Sequence, residues 1–308
     1  MPRLFRSSLM PRVAAALWIS IQAAGQMPQS VMLPENAAKK VSDHVYVIMG
    51  FPNIGIVVGN KATLVVDTGL GPRNGAIIAK EVVKLAKGPG IYLTTTHFHP
   101  EHAAGEGGFP ARTILIRDAV QQQEMEHSGQ QMINMFSGFS AQNKELLAGV
   151  IQRKPDIIFD RELKVDLGGL TARLLWYGAG HTKGDELIYV EEDGVLLSGD
   201  IVENKTVPAL FGDDSTVKGW IPLLEKLEEL KPRFIVPDHG ELGDGSLLPK
   251  ELAFLKDAQA RALELKKQGL SADDAGKMMI AEFKQKYPDW PNLNGLAGVA
   301  KKVYVEGQ

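Results

Sequence analysis

The sequence predicts an α/β protein arranged as a four-layer αββα sandwich, and three observations carry that prediction. Short apolar runs bounded by Gly, Pro, Asn and Asp alternate with stretches of helical periodicity. The order of strands followed by helix recurs in two successive halves of the chain. No internal repeat, low-complexity segment or clear linker divides those halves, so the layers belong to one domain.

Taken in order, the chain opens on an address-like segment. Arg3, Arg6 and Arg12 precede an apolar stretch from Val13 to Ile21, and the small residues Ala23-Ala24-Gly25 follow. As a helix, Val13 to Ala24 would span only about 18 Å, short of a bilayer core. Residues 1–25 therefore read as a cleaved signal peptide, 26–40 as a polar linker, and 41–308 as the domain. Expected strands run His44–Met49, Ile54–Gly59 and Thr63–Asp67, separated by the turns Phe51-Pro52-Asn53 and Gly59-Asn60-Lys61. Asn74 to Lys87 has apolar residues at helical spacing and stops at Gly88-Pro89-Gly90. Strands at Ile91–Thr95 and Thr113–Ile116 follow, and Asp118–Ile151 is mostly helical with dividing glycines.

The second half gives strands at Ile157–Phe159, Leu170–Tyr177, Leu187–Val190 and Val195–Leu197, the last two joined by the hairpin signal Asp193-Gly194. A helix over Thr216–Leu230 and a strand over Phe234–Val236 come next. From about residue 249 the chain is a helical extension, Pro249–Lys267 and Ala272–Lys286, broken by Tyr287-Pro288-Asp289-Trp290-Pro291. Leu252, Leu255, Leu263 and Leu265 read as packing residues, and Ser271 with Asp274 as a capping pair.

Composition narrows the function. With 44% hydrophobic and 23% charged residues the chain is an ordinary globular sequence. A net charge of -3 gives no electrostatic case for nucleic acid or an anionic membrane as partner. The absence of cysteine excludes disulfides, thiolate ligands and a cysteine nucleophile. A small-molecule substrate is the expected partner, in a periplasmic or secreted setting.

The histidines point to the chemistry. Of seven, five fall in three short turn-like segments: His97, His99 and His102 in one, then His181, then His239. His97 and His99 are two apart, so an extended backbone sends both rings to one face. Glu101 adds a carboxylate, and imidazole with carboxylate suits zinc. Gly178-Ala179-Gly180-His181-Thr182, Ser198-Gly199-Asp200 and Pro237-Asp238-His239-Gly240 each present one ligand-type side chain where a strand ends. His44 and His127 have no such company and read as ordinary surface or strand residues.

Together with Val66-Asp67-Thr68-Gly69, these segments resemble the metallo-β-lactamase superfamily from about Val41 to Asp244, in order and spacing. Several stretches, such as Val236 to Asp244, look like the three-histidine di-zinc β-lactamases. The resemblance implies an αββα fold with a cleft for two zinc ions. His97, His99 and His181 would hold the first ion, Glu101, His102 and His239 the second, with Asp200 bridging and Asp67 supporting from beneath. It implies hydrolysis by a zinc-bound hydroxide, with Glu101 and Asp200 as catalytic groups. The loop from Gly50 to Ile54 matches the family's flap, placing Phe51 over an apolar substrate.

Three positions depart from the pattern. Glu101 stands where the family has aspartate, which lengthens the side chain by about 1.5 Å. Glu203 stands where those lactamases carry a carboxylate-gripping lysine, and Leu210 replaces an asparagine near the substrate carbonyl. Lys205 is the candidate substitute for the missing cation. The expectation is therefore an exported hydrolase of a carbonyl compound, an ester, thioester, lactone or amide. A β-lactamase is the first alternative and a non-catalytic metal- or partner-binding protein the second.

Overall fold

Alternation along the strands decides which layer each residue faces. The computed structural model describes residues 31–210 and 214–307. The signal segment 1–25 lies outside the described residues, as do 26–30 of the linker and Phe211-Gly212-Asp213.

The first sheet carries seven strands in sequence order: β1 (Lys39–Lys40), β2 (Val45–Ile48), β3 (Ile54–Val58), β4 (Ala62–Val66), β5 (Gly90–Thr94), β6 (Ile114–Asp118) and β7 (Ile157–Phe159). Pairing is antiparallel up to β4 and parallel from β4 onward. Helix α1 (Pro72–Leu85) crosses between β4 and β5, and the short α2 (Pro100–Ala103) follows β5. After β6 come α3 (Ala119–Ser137) and α4 (Ala141–Leu146). The second sheet is ordered β13-β12-β11-β10-β9-β8, from β8 (Glu162–Asp166), β9 (Thr171–Trp176), β10 (Glu186–Val190), β11 (Val195–Gly199), β12 (Phe234–Pro237) and β13 (Gly243–Asp244). Only β11 and β12 are parallel there, joined by α5 (Val217–Glu228). The chain ends in α6 (Leu247–Lys267), α7 (Ala272–Lys286) and α8 (Leu296–Glu306).

Three apolar layers follow from period-2 alternation. Val57, Leu64 and Val66 of the first sheet meet Leu174, Ile188, Leu197 and Val236 of the second. On the opposite face Ile54, Ile56, Val58, Val65 and Leu93 cover Ile77, Ile78 and Val82 of α1. Leu175, Leu187, Leu196 and Ile235 face outward onto Trp220, Leu223 and Leu227 of α5 and onto the C-terminal helices. Strands buried on both faces read as the near-continuous apolar runs seen in the sequence. At Gly55 the two sheets pack closely, and a Cβ there would collide with Leu197.

The αββα expectation holds, with differences at the margins. β8 escaped notice because its Glu-Leu-Lys-Val-Asp pattern exposes three charged residues on an edge strand. β1 and β13 are two-residue pairings without sequence signal. The helical stretch after β6 is two helices that end by Leu146, with Asp118 capping the first through Val120 N (2.7 Å) and Gln121 N (3.1 Å). α8 was missed as well. Its Val299, Ala300 and Val303 bury against the same cluster as Leu252, Leu255 and Leu265. Ser271 does cap α7, accepting from Asp274 N at 3.1 Å.

Candidate metal centre

The parallel strands β4, β5 and β6 end at one edge of the first sheet, and the parallel pair β11 and β12 ends at the same edge of the second. Loops leaving these ends converge, as they do in open α/β sheets. Thr96, just past β5, joins the two sheets. Its N–H donates to Asp67 Oδ1 (2.7 Å), its hydroxyl to Asp238 Oδ2 (2.8 Å), and its carbonyl accepts from Glu186 N (2.6 Å).

Each candidate ligand is fixed by local structure. Asp67 sits in the left-handed region (φ 67°), an uncommon conformation outside glycine that carries strain. Pro100 opens the single turn α2, which carries Glu101 and His102 back under the cluster. Gly199 takes φ 58° with Thr96 close against it, and this kink at the end of β11 delivers Asp200. The His181 turn is pinned by the buried Asp185, whose carboxylate accepts from Gly180 N (3.0 Å), Thr182 N (3.0 Å) and Thr182 Oγ1 (2.6 Å). Glu124 of α3 braces the same turn through Lys183 N (3.1 Å) and Gly184 N (2.8 Å).

The ligand atoms converge in two halves. His97 Nε2 lies 3.0 Å from His99 Nδ1, and His181 Nε2 lies 3.2 Å from the same atom and 3.3 Å from Asp200 Oδ2. On the other side Asp200 Oδ1 is 3.3 Å from His239 Nε2 and 3.8 Å from His102 Nε2, while Glu101 Oε1 is 3.7 Å from His102 Nε2. His97, His99 and His181 form one group able to hold a cation, and Glu101, His102 and His239 another. Asp200 turns one oxygen toward each. The longer side chain of Glu101 thus brings its carboxylate into the second group.

Outer partners aim the rings. His181 Nδ1 lies 2.8 Å from the Ala209 carbonyl, and His102 Nδ1 lies 3.2 Å from both Asp67 Oδ2 and Asp238 Oδ2. Such partners fix a ligating imidazole's tautomer. Burial, reinforced by the neighbouring histidines, holds His97 and His99 well below the usual histidine range, and burial takes His239 down to about 4. Burial pushes Glu101 up to about 7. Burial also works against ionised Asp200, but His239 and His181 outweigh it and bring the group down to about 2.

Whether these residues suit a metal can be judged from unsatisfied atoms. Glu101 Oε2, His102 Nε2 and Asp200 Oδ1 are buried and make no hydrogen bond among the described residues. Buried polar atoms rarely go unpaired, and three beside one another mark a place for an ion. The donor set of imidazoles and carboxylates is that of zinc sites. The residues fit.

Other expected contacts land differently. Phe51 packs its ring on His239, with centroids 4.4 Å apart. Its turn is pinned by Asn53, whose N–H donates to Asp238 O (2.7 Å) and whose amide donates to Pro237 O (2.8 Å) and Gly240 O (3.0 Å). Lys205 pairs with Asp289 of the C-terminal segment at 2.7 Å, with both side chains at least half exposed, so the pair holds it only weakly. Glu203 is buried and accepts from His239 N at 3.3 Å. His44 bonds Asp193 through Nδ1 (2.7 Å) and tethers β2 to the β10–β11 turn. Asp185, Glu124, Thr96 and Asp238 were not singled out by sequence. Only Asp238, adjacent to His239 in a quoted motif, carried a signal that could have been used.

Comparison with known proteins agrees with this geometry. The sequence model of the metallo-beta-lactamase superfamily matches residues 47–239. A metallo-beta-lactamase type 2 of Bacteroides fragilis is 23% identical over 224 residues, 68% of this chain and 81% of that protein. A linear primary-alkylsulfatase of a Pseudomonas strain is 22% identical over 286 residues, 79% of this chain; the chain spans about half (51%) of the sulfatase's length. A metallo-beta-lactamase structure from Pontibacter korlensis superposes with TM-score 0.57 at 21% identity, covering 71% of this chain and 98% of that one.

Proposed function

The chain belongs to the metallo-beta-lactamase superfamily, and from that premise we propose that it is a zinc-dependent hydrolase of a small carbonyl substrate: an ester, thioester, lactone or amide. The observation that carries this reading is Asp200, which turns one carboxylate oxygen to each of two ligand groups at the strand-end edge. Zinc held there would supply Lewis acidity at the scissile group and bring the pKa of water to about 7.

The chain's own residues do the rest. His97, His99 and His239 are held neutral, so their lone pairs stay available as ligands. Asp200 stays ionised across the working range. Glu101, which burial pushes up to about 7 in the metal-free protein, would give up its proton on taking a cation and hold it as an anionic ligand beside His102 and His239. Phe51 over His239 offers an apolar wall to the substrate.

The missing lysine argues against a β-lactam as the main substrate. The lysine that the loop after β11 does carry, Lys205, lies two residues beyond the position of the gripping cation and reaches Asp289 at 2.7 Å. We further propose that residues 1–25 are a cleaved export signal and that the protein works in the periplasm or outside the cell. Sequencing the mature N-terminus after secretion checks that part.

Turnover is tested with zinc-loaded protein on an activated ester, a thioester, a lactone, a chromogenic cephalosporin and an alkyl sulfate. Chelated protein and His181→Ala serve as controls. Chelator-sensitive hydrolysis of a carbonyl substrate, lost in His181→Ala, supports the reading. Turnover of the cephalosporin alone makes the protein a β-lactamase, and turnover of the sulfate alone moves it to sulfate esters. No turnover by zinc-loaded protein favours a binding role.

A further inference from the structure

Helix α3 meets the metal centre at both of its ends. Near its start, Gln121 Nε2 donates to Thr95 O (2.7 Å) and Glu124 holds the turn of His181. Its last turn returns to the same centre, where Phe136 lies against His99 with ring centroids 6.2 Å apart. Phe139 continues that wall outward, its ring 4.9 Å from that of Phe136 and tilted by 43°. Phe136 is buried, whereas Phe139 is 63% exposed and Met135, one turn before it, 42%.

A lone exposed phenylalanine needs no explanation, but Phe139 has two properties that a stray surface residue lacks. It is held in place. Its N–H donates to Phe136 O (3.1 Å), Gly138 N–H donates to Met135 O (3.0 Å), and Ser140 immediately caps α4 through Asn143 N (3.0 Å). A ring carried on so fixed a turn loses little freedom when a ligand packs on it. It also extends an apolar surface that begins at a ligand imidazole. Phe51, 4.4 Å from His239, stands in the same relation to the second ligand group. Each group is thus flanked by an aromatic wall, and an exposed aromatic ring gains by packing against another ring or an alkyl group.

We propose that Phe139, supported on Phe136, is a specificity determinant that receives a bulky apolar group of the substrate, aryl or branched alkyl, beside the His97, His99 and His181 group. The inference deepens the hydrolytic reading and rests on it for what the substrate is. The favoured substrate is then a carbonyl compound with an aryl or branched-alkyl group on one side of its scissile bond, rather than a small acetyl compound. Phe139 lies outside the ligand set, so it discriminates between substrates and takes no part in the chemistry.

The first test needs no metal. The full chain, labelled with para-fluorophenylalanine, is titrated with ethyl phenylacetate, its isomer phenethyl acetate, and ethyl acetate. Fluorine NMR follows Phe136 and Phe139, assigned through Phe136→Leu and Phe139→Leu. A saturable shift at Phe139 with at least one aryl ester, and none with ethyl acetate at equal concentration, is expected; the isomer that binds tells which side of the ester carries the ring. Phe139→Ala, at a position exposed enough that folding is not at stake, should weaken that binding by about 3–10-fold, read at Phe136, as loss of one ring–ring contact does. Phe139→Tyr should retain it. No saturable shift with either aryl ester, an equal shift with ethyl acetate, or unchanged affinity in Phe139→Ala would overturn the proposal. In zinc-loaded protein the kcat/KM preference for the aryl ester over ethyl acetate should fall by the same factor in Phe139→Ala while zinc affinity stays constant; a preference that does not fall also overturns it. If loaded protein turns over none of the esters, the hydrolytic reading fails, and the metal-free titration still decides the role of Phe139.

Discussion

Glu101 allows the assignment of the two ligand groups to be tested by proton accounting. Burial pushes its carboxyl up to about 7, and a cation that takes Glu101 as ligand must displace that proton. His102 belongs to the same group. Burial works against its charged form, but Asp67 and Asp238 outweigh burial and hold it well above the usual histidine range, so a second proton must leave. Each departing proton lowers metal affinity by about tenfold per pH unit below the pKa concerned. Zinc affinity at the Glu101, His102, His239 group should therefore fall more steeply with falling pH below about 7, where Glu101 adds its proton to those displaced, than above it. At the other group, His97 and His99 are already neutral and have no proton to lose.

Two substitutions separate charge from reach. Glu101→Gln keeps an oxygen ligand and removes one proton, so the break near pH 7 should vanish. Glu101→Asp draws the carboxylate back by about 1.5 Å, against a tolerance of about 0.2 Å in ligand distance, and should weaken that group at every pH. Zinc titration against a competing chromophoric chelator, from about pH 6 to about pH 8.5, reads both slopes. Two zinc ions with the same pH dependence, or a break near pH 7 that survives in Glu101→Gln, would refute the assignment of Glu101 to the second group.

Three further outcomes follow from residues that support the cluster. Asp185→Ala leaves Gly180 N and Thr182 N without their buried acceptor, and the metal-free protein should lose about 2–4 kcal/mol in urea unfolding. Zinc affinity at the His181 group should fall with it, by about 10–100-fold. Trp220→Ala empties a fully buried site whose indole donates to Ile201 O (3.0 Å) and should cost about 3–5 kcal/mol, read as a lowered urea midpoint. Burial pushes Glu124 up to about 7, above the usual carboxylate range, so its contribution to stability is fully present below about pH 4.5 and lost as pH rises through about 7. The stability gap between metal-free wild type and Glu124→Gln should accordingly narrow between pH 5 and pH 8; a gap that widens would contradict the shift.

What the sequence revealed and what it hid divide along physical lines. A ligand histidine must sit on a rigid element at its end, so short turns after apolar runs, glycine-bearing at His181 and His239, made His97, His181 and His239 visible in one dimension. Buried strands were legible because both faces are apolar. Edge strand β8 was not, since its exposed Glu162, Lys164 and Asp166 read as loop. Asp185 and Glu124 were hidden because their work is local to a tertiary meeting: a carboxylate from α3 and one from the start of β10 brace one turn. Nothing in an isolated acidic residue announces that. Phe51 shows the converse. Its loop was expected as a flap, but the three hydrogen bonds of Asn53 to the β12 end are long-range and could only be seen folded.

The loop after β11 shows why a single substitution can change a site more than its charge suggests. In sequence, Glu203 in place of a gripping lysine reads as an anion set against an anionic substrate. In the fold, Glu203 is buried, accepts from His239 N and lines a cavity with Glu251. Lys205 bends away through a left-handed backbone (φ 60°) to reach Asp289. The cleft has therefore lost its cation without gaining an exposed repulsive charge there. Discrimination against carboxylate-bearing substrates should then come from the absence of attraction, a modest effect, and Asp289→Asn, which frees Lys205, should improve their binding while leaving neutral esters unaffected.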